Sequence, residues 1–186
     1  AQVPKKILKE FYIPSFKIED TDDREGLGYS ISKFLKNRSE KSRQCIMDEM
    51  LPQLLEYEEL NTVKMMNTQD VIECEKLHEV GLHSYTHASM NFETNTFFEE
   101  DLLDCKQWYN SLFNKAPKIY AFPNGSYNKS QIDILFKHGF SNILLVNDSF
   151  SASENKLHNR IKFHGNSSSE IIFRAMGGIR ELQGKP

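Results

Sequence analysis

Cysteine is scarce in this 186-residue sequence: Cys45, Cys74 and Cys105 lie far apart and form no C-x-x-C pair. An odd, sparse set is not a disulfide framework, so the fold must stand on its core. This leans toward a reducing compartment, and the cytoplasm is favoured slightly over an extracytoplasmic site. Glycine (9) and proline (6) are few, which excludes collagen-like and low-complexity chains. No apolar run approaches the roughly 20 residues of a transmembrane helix. Neither sign of charge dominates: 23 Lys and Arg against 26 Asp and Glu give a formal charge of −3. That gives no electrostatic case for a nucleic-acid partner or an anionic membrane surface. The first residues, A-Q-V-P-K-K, have neither an initiator Met nor a signal-peptide core. The chain is therefore expected to begin inside a longer gene product.

What remains is globular: 39% hydrophobic, 26% charged and 11% aromatic. A single domain over 1–186 is expected from the length. Pro4 to Phe11 reads as a short helix with proline near its first turn, and Ile13 to Ile18 as a short strand. Asp20 to Gly28 reads as an acidic, turn-rich loop. Met47 to Tyr57 carries a helix-period apolar stripe. Thr68 to His78 is a predicted helix capped by Asn67 or Thr68, and Glu79 to His83 a brief strand. Thr96 to Phe113 is a predicted helix whose Thr96 and Glu99 have capping-box spacing. Its Phe98, Leu102, Cys105, Tyr109 and Leu112 share one face. Trp108 and Phe97 are also expected in the core. Lys118 to Phe122 reads as a strand ending at Pro123. Ser130 to His138 is a helix closed by Gly139, Asn142 to Val146 a strand, and Ile161 to Phe163 another. Ser167 and Glu170 open a last helix. Such alternation predicts an α/β fold with a parallel sheet or barrel. Because it opens on a helix, its first strand is expected to be missing.

Two landmarks carry the chemistry. His83 and His87, in G-L-H-S-Y-T-H-A-S-M, are four apart at a predicted strand end. There both imidazoles can serve one divalent metal, and α/β barrels place their chemistry at strand C-termini. Two ordinary histidines would also satisfy the spacing. The second landmark is A-F-P-N-G-S-Y-N, Ala121 to Asn128, where proline and glycine two apart make a rigid turn. It is expected on the same face as the histidine pair. The acidic pair Asp22-Asp23 reads as a solvated turn.

In this order the segments resemble the polysaccharide deacetylases, carbohydrate esterase family 4, related to nodulation-factor chitooligosaccharide deacetylases. V-G-L-H-S-Y-T-H-A-S-M is similar to the family's H-[ST]-x-x-H metal motif. Y-A-F-P-N-G-S-Y-N, from Tyr120, resembles its third motif, a wall of the active-site groove. I-L-K-E-F-Y-I-P-S-F-K-I resembles the segment ending P-A-T-F-F. Residues 132 to 146 are similar to the helix, glycine and strand that follow the third motif. The resemblance implies a distorted (β/α) barrel of the deacetylase type, with its first strand missing. It implies a hydrolase of carbon–nitrogen bonds other than peptide bonds, acting on an acetylated glycan or polysaccharide. His83 and His87 would hold the metal, Zn²⁺ first. Pro123, Asn124, Gly125 and Tyr127 would contact substrate, and His164 would be the general acid, with His158 a weaker candidate.

The sequence departs from the family at T-F-D-D-G, which supplies the catalytic base and a metal-binding Asp and is not found here. The chain alone is therefore expected to be impaired. An arginine that the family's third motif often carries to orient the base is also absent; Tyr120 or Ala121 stands near its place. Backbone N–H groups near the Pro-Gly turn are expected to stabilise the oxyanion. The alternatives are a non-catalytic carbohydrate-binding relative, and an unrelated α/β enzyme in which the histidine spacing is incidental.

Overall fold

The computed structural model describes residues 12–17, 23–55, 64–146, 151, 156–160, 165 and 167–176. The chain divides into two compact units, Ala1–Glu73 and Cys74–Pro186. Among the described residues no helix is long and apolar enough to cross a membrane.

In the first unit, the expected strand at 13–18 is instead a tight turn. Ile13 and Phe16 form an isolated antiparallel bridge, closed by Phe16 N–H on Ile13 O at 3.1 Å, with Ser15 left-handed at φ 61°. Pro14 favours this turn over continued extension. Helix α1, Arg24–Lys36, replaces half of the expected acidic loop. The carboxylate of Asp23 caps it, accepting from Gly26 N–H at 2.8 Å, which settles that residue as a cap. Asp22 lies outside the described residues, as does the expected helix at 4–11. Helix α2, Glu40–Leu55, packs Ile46 and Met50 against Ile13, with Phe34, Leu35 and Phe16 around them. Gln53 fixes the turn to this helix, donating to Tyr12 O and accepting from Tyr12 N–H, both at 2.9 Å.

Helix α3, Thr68–Glu75, starts at a reciprocal cap. Asp70 N–H donates to Asn67 Oδ1, and Asn67 N–H to Asp70 Oδ2.

In the second unit, helix α4 covers Asn95–Phe113. Its cap is Thr94, whose hydroxyl accepts from Phe97 N–H at 3.1 Å, not Thr96. Glu99 instead pairs with His138. Strands β1 (Ile119–Ala121), β2 (Asn142–Val146) and β3 (Leu157–Arg160) form a parallel sheet in that order. Helix α5, Lys129–Lys137, connects β1 to β2, and Gly139 follows with φ 87° as expected. Helix α6, Ser168–Ala175, is capped by Ser167. The expected strand at 161–163 lies outside the described residues. The expected strand at 79–83 shrinks to one parallel bridge, Leu82 to Tyr120. Gly81 allows this approach, since a Cβ there would stand 2.9 Å from Ile119 Cβ.

The core of this unit is aromatic. Phe98, Tyr120, Phe122 and Phe140 interlock with ring centres 5.1–5.9 Å apart, surrounded by Leu82, Leu102, Leu135 and Ile143. Trp108 stays 41% exposed, contrary to expectation, because α4 turns only its Phe98–Leu102–Cys105–Tyr109 face inward. The Tyr120 hydroxyl is buried without a hydrogen-bond partner among the described residues. Burial, then the nearby Asp101 and Cys105, raise its pKa well above the usual phenol value. An orphaned buried hydroxyl is a cost rather than a gain. Tyr120→Phe is therefore expected to leave stability unchanged or raise it by about 1 kcal/mol in urea denaturation; a loss of more than about 1 kcal/mol would reveal a partner for the hydroxyl.

Candidate metal and substrate site

The parallel pairing brings the ends of four segments to one mouth. Leu82 N–H donates to Ile119 O and Ala121 N–H to Leu82 O, both at 2.8 Å. His83 therefore leaves its strand position beside the end of β1, and both histidines are exposed there. His83 Nδ1 lies 2.7 Å from Ala121 O. A carbonyl only accepts, so Nδ1 carries a proton, and in the neutral ring Nε2 is the nitrogen with the lone pair. This is how a ligand imidazole is ordinarily oriented.

The chain from His83 to His87 is a strained loop. Ser84 (φ 70°) and His87 (φ 58°) are both left-handed, which costs non-glycine residues of order 1–3 kcal/mol each. His87 N–H donates to Ser84 Oγ at 2.9 Å. The His83 and His87 ring centres are 5.0 Å apart with planes at 77°. A tetrahedral ion about 2.0–2.1 Å from each ring nitrogen would hold two imidazole centres about 5 Å apart. The pair thus fits a divalent cation in donor type and spacing. Among the described residues no third His, Cys, Asp or Glu completes the group.

The Phe122–Tyr127 turn forms the neighbouring wall. Pro123–Gly125 makes a single 3₁₀ turn with Asn124 left-handed. Asn124 Nδ2 donates to Ser89 Oγ at 3.1 Å, Ser126 Oγ donates to Asn91 Oδ1, and buried Gln131 donates to Met90 O at 2.8 Å. Tyr127 stacks on Phe122 at 4.9 Å. The expected proximity of the two motifs is therefore present. Two N–H groups of the turn are not open to an oxyanion: Gly125 N–H donates to Phe122 O and Ser126 N–H to Pro123 O, so the turn itself takes them up. Arg160, ending β3, reaches toward Leu145 O and Phe122 O at 3.4 Å.

The other described histidines stand apart from this mouth. His138 closes α5 and pairs with Glu99 at 2.7 Å, His158 bonds Asn142 Oδ1 within the sheet, and His78 is exposed. His164 lies outside the described residues. The sequence reading missed Asp101, which is only 4% exposed. Its signal was a carboxylate placed within the apolar face of α4. One turn further, Cys105 is pushed up to about 11, chiefly by burial and then by Asp101.

Residues 59–143 match the family model for polysaccharide deacetylase, which bears out the resemblance of the motifs. The fold is similar to that of the deacetylase PplD of Streptococcus pyogenes, solved with acetate, at TM-score 0.54 and 17% identity. That match covers 63% of this chain and 54% of the other. It is also similar to a de-N-acetylase of Aggregatibacter actinomycetemcomitans (TM-score 0.51, 14% identity, 59% and 53% covered). IcaB of Ammonifex degensii gives TM-score 0.50 at 18% identity, with 61% and 53% covered. The chain spans about half the length of these solved structures. No curated protein matches it.

Gly125 has φ 66°, and a Cβ there would stand 2.7 Å from Val146 Cβ. Gly125→Ala is expected to cost about 1–3 kcal/mol in thermal unfolding, and a neutral result would show that the turn is free to move. A thiol with pKa about 11 is about one part in a thousand thiolate at pH 8. Iodoacetamide at that pH should alkylate exposed Cys45 and spare Cys105; equal rates would contradict the burial.

Proposed function

We propose that this chain, with its match to the polysaccharide deacetylase model over 59–143, supplies the metal-holding part of a (β/α)-barrel hydrolase that removes acetyl groups from a glycan. The observation that supports this best is the mouth itself. Two exposed imidazoles 5.0 Å apart stand on a loop tied by side-chain hydrogen bonds to the proline-glycine wall. In this reading His83 and His87 hold the cation, Zn²⁺ first. His83 presents Nε2 because its Nδ1 proton is fixed on Ala121 O. A divalent cation there would lower the pKa of a water molecule toward neutrality and polarise an acetyl carbonyl.

The chain's own residues position the substrate. Pro123, Asn124, Gly125 and Tyr127 form a wall for a sugar ring, stiffened by the Phe122 stack and the Ser89 bond. His164 is the proposed proton donor to the leaving amine, a role that requires reach to the nitrogen. The carboxylate base is not among the described groups beside the histidines. Two imidazoles alone bind a cation more weakly than the three ligands of a catalytic zinc site, so the 186-residue chain is expected to hydrolyse slowly. The same incomplete ligand set favours a second reading, a sugar-binding relative without catalysis.

Metal titration and acetate release from an N-acetylated chitooligosaccharide test both readings. The deacetylase reading predicts weak zinc binding and slow, metal-dependent release, each lost in His83→Ala. Oligosaccharide binding that survives His83→Ala without any acetate release would replace it with the sugar-binding reading.

A further inference from the structure

The loop that presents His83 and His87 has an acceptor beneath nearly every donor. Asp101, buried on α4, accepts from Tyr85 N–H at 3.0 Å and from Thr86 N–H at 2.9 Å. It also accepts from the hydroxyls of Thr86 at 2.8 Å and Ser84 at 3.1 Å. Ser84 Oγ in turn accepts from His87 N–H. The backbone of His83 lies close to the thiol of Cys105, four residues along the same helix face. The segment 83–87 is thus seated on one inward stripe of α4. A charged acceptor holding several donors in a dry site fixes their geometry more tightly than neutral pairs would.

We infer that Asp101 is a positioning residue of the metal site: its carboxylate holds Ser84, Tyr85 and Thr86 so that the left-handed turns at Ser84 and His87 persist and both imidazoles face one point. This rests on the reading that His83 and His87 hold a divalent cation. Asp101 does not touch the cation; it acts through the loop backbone and through Ser84. An Asn side chain has one acceptor oxygen and a donating NH₂. Asp101→Asn therefore removes the charge and sets an NH₂ against at least one loop donor, Tyr85 N–H, even where the amide oxygen keeps the three bonds that Oδ2 accepts. Ser84→Ala removes only the link from the carboxylate to His87 N–H.

Cobalt(II) is the probe. The wild-type 186-residue chain, Asp101→Asn, Ser84→Ala and His83→Ala are titrated by visible absorption, and the metal-free proteins are unfolded thermally in parallel. Asp101→Asn and Ser84→Ala are each expected to weaken cobalt binding 10–100-fold and to alter the visible spectrum at saturation. Wild-type affinity and spectrum in both variants, whatever their melting temperatures, would overturn the role of Asp101. If Asp101→Asn does not fold, Ser84→Ala decides alone, since it leaves the other three bonds to Asp101. If His83→Ala binds cobalt like wild type, the metal reading itself has failed, a result distinct from a failure confined to Asp101.

Discussion

Two backbone hydrogen bonds, from Leu82 N–H to Ile119 O and from Ala121 N–H to Leu82 O, set the register of the whole mouth. They align one residue with β1, too short a pairing to count as a strand, yet the consequences extend well beyond it. A parallel register puts the exits of both segments on one side of the sheet. His83 then emerges beside Ala121 and bonds its carbonyl, while the chain after Ala121 turns at Pro123 toward Ser89 and Asn91. A slip of one residue would send alternate side chains to the opposite face. Leu82 would leave the aromatic core, and His83 would enter it.

The strain of the histidine loop is affordable on these magnitudes. Two left-handed non-glycine residues cost of order 1–3 kcal/mol each, whereas hydrogen bonds to a charged acceptor contribute about 1.5–3 kcal/mol each. Asp101 accepts four, so that single carboxylate can offset the strain it fixes in place. The helix below supplies rigidity, with Phe98, Leu102 and Tyr109 buried on the face that carries Asp101 and Cys105. The wall opposite is held by amide and hydroxyl side chains, which give direction without bringing further charge into the mouth.

Periodicity made much of this legible. The strand at 142–146, the helix closed by Gly139 and the buried stripe of α4 follow from residue pattern alone, because burial of an apolar face is a local signal. The proximity of His83 and His87 to the Pro-Gly turn followed from strand ends and motif order. What was not legible depended on partners distant in sequence. Thr94 caps α4 because its hydroxyl reaches Phe97 N–H, and Thr96, with equally good spacing, lies two residues too late, already inside the helix. The segment at 13–16 reads as extended by composition, but Pro14 and Ser15 reverse it. Asp101 stood in plain view on an apolar stripe, yet its role requires knowing that residues 84–86 fold down onto it. Which N–H groups near the Pro-Gly turn stay open to an oxyanion was not legible either, since the turn takes up those of Gly125 and Ser126 itself.

The central claim is that His83 and His87 share one divalent cation at the mouth of the sheet. Anomalous scattering from crystals grown with zinc tests this most directly. The account predicts a zinc peak between the two imidazoles, within bonding distance of His83 Nε2. A clear peak elsewhere, or well-ordered rings with no zinc between them at saturating concentration, would contradict it.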